Sequence, residues 1–271
     1  MLRRRLLAAA FDPLVVGALA AGVSGQVLPA AAEAPLEADV ALVDDLVAAN
    51  HILYDQGVVD GFGHVSVRHD KDPSRFLLAR SMAPGLVVAG DIMEFDRDGN
   101  AIDARGRAVY LERFIHSEIY KTHPEVKAVV HSHSPAVIPF GVTGVPLRPI
   151  YHMSAFLGTG VPVFEIRQAS PTPTDMLISN NELGAALART LGNANVALMR
   201  GHGDVVVGQS LPQVVFRAVY TEINARLEGE ALRLGEVNFL SGEEAAKASK
   251  VDDAILGRAW ELWQQQARAK R

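Results

Sequence analysis

The sequence predicts an α/β fold with a mixed, largely antiparallel central sheet covered by helices. Short apolar runs of strand length recur along the chain, turn-rich segments separate the early runs closely, and longer runs with helical spacing lie between the later ones. Closely spaced strands favour antiparallel pairing. The 271 residues fit one large domain. Because no repeat or linker divides residues 35–271, we expect them to form a single domain.

The expected helices and strands alternate along the body of the chain. Apolar residues at three- and four-residue intervals indicate helices, and Gly57 and Pro124 mark the ends of the first two. In order, the sequence predicts a helix at 36–54, strands at 64–68, 75–79 and 91–95, a helix at 111–122, strands at 128–131 and 161–164, a helix at 180–191, strands at 196–199 and 205–207, and helices at 211–232 and 251–269.

The amino-acid composition limits the kinds of molecule and metal ligand that we expect in this protein. The formal net charge is -5 and the pI is near 6.0, with no long basic run, so the chain lacks the positive surface typical of nucleic-acid binding. We therefore expect a small-molecule substrate. The absence of cysteine excludes disulfides, thiolate ligands and a cysteine nucleophile. Any transition metal must then be held by nitrogen and oxygen ligands.

Residues 1–34 are predicted to be an export signal. Three arginines at positions 3–5 precede an apolar stretch rich in alanine and glycine, and small residues at 28–34 offer cleavage sites. The arginines permit a twin-arginine route, so we expect a periplasmic or secreted protein. One alternative is a membrane anchor, and the other is a wrongly assigned start codon or a disordered tail on a cytoplasmic protein. Beyond Ala34 no apolar stretch is long enough to span a bilayer, so no stable membrane insertion is expected after processing.

Two histidines, His131 and His133, end an apolar run that begins at Val126. Side chains two positions apart on a β-strand point to the same face, so both imidazoles would leave the strand in parallel. Two parallel imidazoles provide half of a metal site, and the alternative is a pair of exposed or hydrogen-bonded histidines. Two features favour the metal site: Glu112 lies on an expected helix, and His202 lies between two glycines after another apolar run.

Three segments carry a resemblance to a known family. Residues 112–116, 131–135 and 201–203 read Glu-Arg-Phe-Ile-His, His-Ser-His-Ser-Pro and Gly-His-Gly. In order and in separation they resemble the class II aldolase/adducin family, over about residues 40–236. The resemblance implies the three-layer fold of that family. It also implies a homotetramer with active sites between subunits.

The same resemblance implies a metal site. In that family three histidines and a glutamate surround a divalent metal, and position by position these ligands fall on His131, His133, His202 and Glu112. We expect one divalent metal per subunit, zinc first, with manganese, cobalt or iron as alternatives that accept the same ligands. Three imidazoles leave coordination positions open for a substrate with adjacent oxygens.

Two residues are predicted to be catalytic. Glu112 can bind the empty metal and, once displaced by substrate, move a proton to or from carbon. The alternative is a first-turn carboxylate that stabilises the helix dipole. His152 lies where family aldolases carry a tyrosine that protonates substrate from a neighbouring subunit, with core packing as the alternative. His116 is expected behind the site. Three further histidines are expected on the surface, namely His51, His69 and His123.

Departures from the family's sugar-phosphate aldolases indicate the substrate class. The loops at 61–66 and 80–85 lack most of the residues with which those aldolases grip phosphate. Instead, His64 and Arg80 offer two donors that could clamp a carboxylate. The predicted substrate-binding residues are His64, Ser66, Arg80 and Ser81. The first loop and the helix after it resemble the branch that contains metal-dependent decarboxylases of hydroxylated aromatic dicarboxylates.

These observations lead to one functional prediction with two alternatives. We expect a divalent-metal-dependent carbon-carbon lyase that decarboxylates a small, non-phosphorylated, hydroxylated aromatic carboxylate. The first alternative is retro-aldol cleavage of a hydroxy-carbonyl or sugar-like substrate. The second is a non-catalytic binding module similar to the adducin head, although such heads typically lack the histidine set.

Overall fold

The fold is seen in a computed structural model that describes residues 37–170 and 172–270. The predicted export segment, 1–34, lies outside these residues. None of the described helices combines the length and the apolar character that a membrane crossing requires. The strands are β1 (His64–Arg68), β2 (Phe76–Ala79), β3 (Ile92–Phe95), β4 (Ala128–Ser132), β5 (Val163–Phe164), β6 (Val196–Met199) and β7 (Gly203–Gly208).

Eight α-helices and three short 3-10 helices surround the strands within the described residues. The α-helices are α1 (Val40–Asp55), α2 (Arg113–Thr122), α3 (Ile138–Val142), α4 (Ile166–Ala169), α5 (Asn181–Leu191), α6 (Leu211–Leu234), α7 (Gly242–Ala254) and α8 (Leu256–Ala269). The 3-10 helices are Pro84–Leu86, Ala89–Asp91 and His152–Thr159.

The seven strands form one sheet in the order β3-β2-β1-β4-β7-β6-β5. All neighbouring pairs are antiparallel except β5 and β6, which are parallel. The prediction of a mixed, largely antiparallel sheet is confirmed. In the centre of the sheet, His131 of β4 lies opposite His64 of β1 on one side and Val205 of β7 on the other.

Helices cover both faces of the sheet, and alternate residues of each strand build two separate cores. On β4, Ala128 and Val130 pack with α1, α6 and α8, whereas Val129 packs with α2 and α5. This division follows from the two-residue period of a strand. By the same period His131 belongs to the α2 and α5 face. The result is the expected three-layer arrangement.

Several elements differ from the sequence prediction. The fifth strand is only two residues long, the helices α3, α4 and α7 were not predicted, and the expected helix at 251–269 is interrupted at Ile255. The start of α7 carries a capping box, in which Ser241 and Glu244 each bond the other's backbone N–H. That Ser-x-x-Glu signal can be read from the sequence.

The surface prediction is wrong for His51 and His69, which are both buried. His51 Nε2 donates to the carbonyl of Val87 at 2.6 Å, and His69 Nδ1 accepts from the backbone N–H of Lys71 at 3.0 Å. Each ring thus has a backbone partner that favours its burial, although Nε2 of His69 has no hydrogen-bond partner among the described residues. The third ring, that of His123, is partly buried.

Two buried polar residues of α6 anchor the segment that carries His152. Asn224 accepts from the backbone N–H of Ile150 at 3.1 Å and donates to the carbonyl of Arg148 at 2.8 Å. Glu228 accepts from the backbone N–H of Arg148 at 3.0 Å, and its other oxygen, Oε1, has no partner among the described residues. Burial raises the pKa of Glu228 to about 7.

Stability should respond to substitutions at two helical glycines in opposite directions. A Cβ at Gly184 of α5 would lie 2.5 Å from the carbonyl oxygen of Phe114 in α2, whereas one at Gly229 of α6 would meet nothing within 4 Å. Gly184→Ala should lower the free energy of unfolding by about 1–3 kcal/mol through overpacking. Gly229→Ala should raise it by about 0.5–1 kcal/mol. Urea denaturation measures both, and equal effects would contradict the close contact between α2 and α5.

Stability should also depend on pH through Glu228. A carboxyl whose pKa is about 7 when folded, against 4.5 ordinarily, is protonated in the fold and ionised in the unfolded chain between those values. Its contribution to stability is therefore lost as pH rises from about 4.5 through 7. Between pH 5 and 8, the wild-type chain should lose roughly 1–3 kcal/mol more stability than Glu228→Gln. Urea denaturation measures the stability of both proteins at each pH. If wild type and Glu228→Gln lose stability equally, the pKa of Glu228 is not raised in the fold.

Candidate metal centre

Four potential metal ligands meet at one end of the sheet. His131 lies on β4, His133 directly follows that strand, His202 lies in the turn between β6 and β7, and Glu112 precedes α2. One ligand atom from each of the four lies within 4.8 Å of those of the others. The structure thus brings together all four residues predicted to be ligands.

The spacing of these atoms suits a common ion. His133 Nε2 lies 3.2 Å from His131 Nε2 and 3.0 Å from His202 Nε2. Glu112 Oε2 lies 3.4 Å from Nε2 of His131 and 3.4 Å from Nε2 of His202. Ligands at about 2.0–2.2 Å from one divalent ion have separations of this size.

Backbone carbonyls fix the protons of two of the rings. His131 Nδ1 lies 2.9 Å from the carbonyl oxygen of Asp204, and His202 Nδ1 lies 2.8 Å from that of Met176. Because a carbonyl can only accept, each Nδ1 carries a proton and donates it. In the neutral rings, Nε2 then presents a lone pair to the cluster. The Nε2 lone pairs of His131 and His202 thus face one another beside the carboxylate of Glu112, and this arrangement is suited to binding a cation.

Glu112 is held with one oxygen toward the protein and the other toward the histidines. Its Oε1 accepts from the backbone N–H of Ile178 at 2.9 Å, and the side chain is almost completely buried. Burial acts to raise the pKa of Glu112, but His131 and His202 act more strongly and lower it far below its usual range. The carboxylate is therefore charged at neutral pH and available as a ligand.

A hydrogen-bond network on the side of the cluster that faces the protein interior holds the segment that carries His131 and His133. Ser132 Oγ donates to the carboxylate of Asp204 at 2.5 Å, and Ser134 donates to Glu222 of α6. Burial raises the pKa of Asp204 to about 6. Sequence reasoning missed Asp204 and Glu222. The sequence carries no signal that pairs residues about seventy to ninety positions from their partners.

Two of the predicted substrate-binding residues, His64 and Ser66, lie on β1 beside the cluster. The rings of His64 and His131 have centroids 5.1 Å apart. Ser66 is fully buried, and its hydroxyl contacts His116 Nδ1 at 2.6 Å. His116 is itself fully buried behind the site, as the sequence predicted. The structure shows Ser66 supporting His116, and direct contact of Ser66 with substrate stays a prediction.

The other two residues predicted to bind substrate lie on the neighbouring loop. Arg80 is 39% exposed along its side chain and pairs with Asp91, Nε to Oδ1 at 2.7 Å. Ser81 is exposed. Tyr110, which sequence reasoning did not select, links this loop to the site: its hydroxyl donates to the carbonyl of Met82 and its ring lies 4.6 Å from that of His64. A role of Arg80 as a carboxylate clamp stays a prediction.

His152 lies outside the cluster in the single chain. It begins the 3-10 helix that packs on α7, its side chain is 69% exposed, and its Nδ1 lies 3.7 Å from Asp252 Oδ1. Its described contacts do not connect it with the four ligands. An exposed aromatic residue does lie beside them, since the ring of Phe62 is 6.3 Å from that of His133. Sequence reasoning did not select Phe62.

Comparison with known proteins decides the family. Residues 44–228 match the family described as Class II Aldolase and Adducin N-terminal domain. The chain belongs to this family. The predicted resemblance is therefore confirmed, and it spans every residue of the candidate metal centre.

Curated relatives and a solved structure agree with this assignment. The chain is 38% identical to Decarboxylase tropJ of Talaromyces stipitatus, over 82% of this chain and 92% of the relative. It is 31% identical to 3,4-dihydroxyphthalate decarboxylase of Arthrobacter keyseri, over 70% of this chain and 78% of the relative. L-fuculose 1-phosphate aldolase from Glaciozyma antarctica has the same fold, with a TM-score of 0.70 at 23% identity over 88% of this chain and 94% of that one.

These findings settle two predictions at the level of the family. The class II aldolase fold is confirmed, and so is the expectation of a lyase, since the curated relatives named here are decarboxylases.

Removal of any one histidine of the cluster should abolish metal retention. His131→Ala, His133→Ala and His202→Ala each delete one of three imidazoles that share an ion, so affinity for zinc or manganese should fall by a hundredfold or more, on the order seen for metal-site mutations. Metal analysis of purified protein and calorimetric titration measure this loss. His152→Ala is the matched control and should keep the metal. Full metal content in all three cluster variants would refute the assignment of ligands.

Proposed function

We propose that this protein is a divalent-metal-dependent lyase that removes carbon dioxide from a small, hydroxylated aromatic carboxylate without phosphate. The observation that carries the proposal is the cluster of three imidazoles and one carboxylate at the end of the sheet. Two curated relatives whose names specify decarboxylation support it. The proposed ligands are His131, His133, His202 and Glu112.

A bound dication would supply a Lewis acid that stabilises negative charge on substrate oxygens as the carbon-carbon bond breaks. The residues of the chain orient the ligands for this bond cleavage. The carbonyls of Asp204 and Met176 hold two rings so that Nε2 faces the substrate space. The network behind Ser132 and Ser134 keeps His131 and His133 in place. Such preorganisation avoids the cost of reorienting ligands during the reaction.

Glu112 is the proposed proton-transfer group. After carbon dioxide leaves, the carbon that bore it must gain a proton. The ionised carboxylate can take this proton from a substrate hydroxyl and deliver it to the carbon. Only Oε2 of Glu112 faces the histidines, while Oε1 is held by the N–H of Ile178. The residue therefore has one fixed oxygen and one oxygen able to exchange its partner for substrate.

The wall of the site suits an anionic aromatic substrate. Arg80 provides a permanent cation, Tyr110 and Phe62 provide aromatic surface, and His64 provides a ring nitrogen. A carboxylate beside Arg80 would compete with Asp91 for its guanidinium. The aromatic surface favours a planar substrate over a sugar, and the guanidinium of Arg80 favours an anion.

Retro-aldol cleavage is the second candidate, because it breaks a carbon-carbon bond beside the same chelated oxygens. The fold of an L-fuculose 1-phosphate aldolase is shared with this chain, but a likeness at 23% identity concerns the fold alone. The product separates the two reactions: decarboxylation releases carbon dioxide, and retro-aldol cleavage releases an aldehyde. A non-catalytic binding module is disfavoured because all four candidate ligands are present.

The homotetramer with shared active sites and the export of the chain stay predictions. The exposed His152 suits a role at a neighbouring subunit. The sequence at 1–34 supports export, and a cytoplasmic protein is the alternative.

Metal-loaded protein should release carbon dioxide from 3,4-dihydroxyphthalate, the compound named for one relative. Glu112→Gln should lower turnover by about a hundredfold or more while keeping much of the metal, because it removes proton transfer and leaves the three imidazoles. Coupled carbon dioxide detection, aldehyde detection and metal analysis measure the outcome. Glu125→Gln makes the same change at an exposed glutamate and should behave as wild type.

Three results would contradict this proposal in different ways. Release of an aldehyde in place of carbon dioxide from a panel of hydroxylated acids would favour retro-aldol cleavage. Full turnover after metal removal would refute metal dependence. Unchanged turnover in Glu112→Gln would remove this residue from proton transfer.

A further inference from the structure

A hydrogen-bonded relay of four buried polar side chains runs from the wall of the metal centre into the protein. His64 Nδ1 lies 2.6 Å from His116 Nε2, and His116 Nδ1 lies 2.6 Å from Ser66 Oγ. Ser66 Oγ lies 2.7 Å from the hydroxyl of Tyr120. Each of these four residues is almost completely buried. The proposed chemistry uses His64 at one end and leaves the other three residues without a role.

The direction of the hydrogen bonds can be worked out from Tyr120. Its hydroxyl must donate to an acceptor because it is buried, and Ser66 Oγ is its partner among the described residues. Ser66 then accepts from Tyr120 and donates its own proton to the remaining partner, Nδ1 of His116. His116 carries its proton on Nε2 and donates it to Nδ1 of His64.

The opposite direction leaves a donor unsatisfied. If His64 donated to His116, then His116 would donate to Ser66 and Ser66 to Tyr120, so that the Tyr120 hydroxyl proton would have no acceptor among the described residues. An unsatisfied buried donor costs about 1–3 kcal/mol. The ring of Phe76, which packs on Tyr120 with centroids 5.4 Å apart, offers no oxygen or nitrogen acceptor.

We infer that Ser66 and His116 fix the tautomer of His64, so that His64 presents a neutral Nε2–H donor and selects a substrate oxygen that accepts hydrogen bonds. This inference rests on the proposed function where it concerns substrate, and it adds two positioning residues to the site. The acceptor is a carboxylate, carbonyl or phenolate oxygen. Because Nδ1 is committed as an acceptor, His64 binds substrate without serving as its general base.

The position of His64 makes this donor relevant to the reaction. The residue lies opposite His131 in the register of β1 and β4, and its ring is in contact with that of Tyr110. The two ring nitrogens lie on opposite edges of an imidazole. With Nδ1 turned to His116, Nε2 faces away from the buried chain. A hydrogen bond from this N–H to an anionic oxygen would add to the charge of Arg80 in holding an acid.

Nitrogen NMR on protein with ¹⁵N-labelled histidine tests the tautomer directly and without substrate. The signals of the two rings are assigned by their loss in His64→Gln and His116→Gln. His64 should show a protonated Nε2 and a bare Nδ1, and scalar coupling across the hydrogen bond should connect His116 Nε2 to His64 Nδ1. A free imidazole in water also favours the Nε2–H tautomer, so a protonated Nε2 alone would not test the inference. The scalar coupling from His116 to His64 provides the test. A protonated Nδ1 on His64, or no coupling, would overturn the inference.

Two hydroxyl deletions separate the roles of Ser66 and Tyr120. Ser66→Ala removes the donor that commits His116 Nδ1 as an acceptor, so the coupling should weaken and a second tautomer of His64 should appear. Tyr120→Phe leaves Ser66 with His116 as its acceptor, so the coupling should persist. Both variants delete one buried hydroxyl and nothing larger, which makes them a matched pair. Persistence of the full coupling in Ser66→Ala would remove Ser66 from the relay.

Substrate binding tests the function of the donor. His64→Gln keeps an N–H donor at about the position of Nε2, whereas His64→Phe keeps a ring without one. With 3,4-dihydroxyphthalate, His64→Phe should have a KM about tenfold or more above that of His64→Gln, as expected for one hydrogen bond to a charged group. Equal KM values would overturn the selection of an acceptor oxygen. If no variant or wild type turns over, the proposed function fails while the NMR result still decides the relay.

Discussion

The pairing of β4 with β7 is the constraint on which the metal centre depends. His131 and Ser132 lie opposite Val205 and Asp204, so the end of β4 is placed beside the turn that carries His202. The two backbones approach so closely there that a Cβ at Gly203 would overlap the carbonyl of Ser132. The register also delivers the carbonyl of Asp204 to His131 Nδ1, so a single pairing sets both the position of the ligand and its protonation.

Much of the centre could be predicted from the sequence. The two-residue spacing of His131 and His133, together with the resemblance around Glu112 and His202, sufficed to select four side chains that the fold brings together. The sheet and most helices followed from apolar spacing, because helices bury both faces of the sheet. The capping box at Ser241 was a readable signal for α7.

What could not be predicted depends on backbone groups and remote partners. The carbonyls of Asp204 and Met176 orient the ligands, but every residue has a carbonyl and the sequence does not mark these two. His51 is buried because it meets the carbonyl of Val87, thirty-six positions away. The same limit applies to the relay of His64, His116, Ser66 and Tyr120, whose members lie fifty or more positions apart across each contact between β1 and α2.

The alternation of side chains across the sheet has an evolutionary consequence. His131, His64 and Glu112 belong to the layer that contains α2 and α5, while α1, α6 and α8 pack on the opposite face through a different set of strand residues. Apart from Glu222 of α6, which holds Ser134 beside the histidine segment, neutral drift in that opposite layer reaches the ligands through strand backbones. Paralogues can therefore diverge in their outer helices, and acquire new neighbours there, while inheriting an unaltered reaction centre.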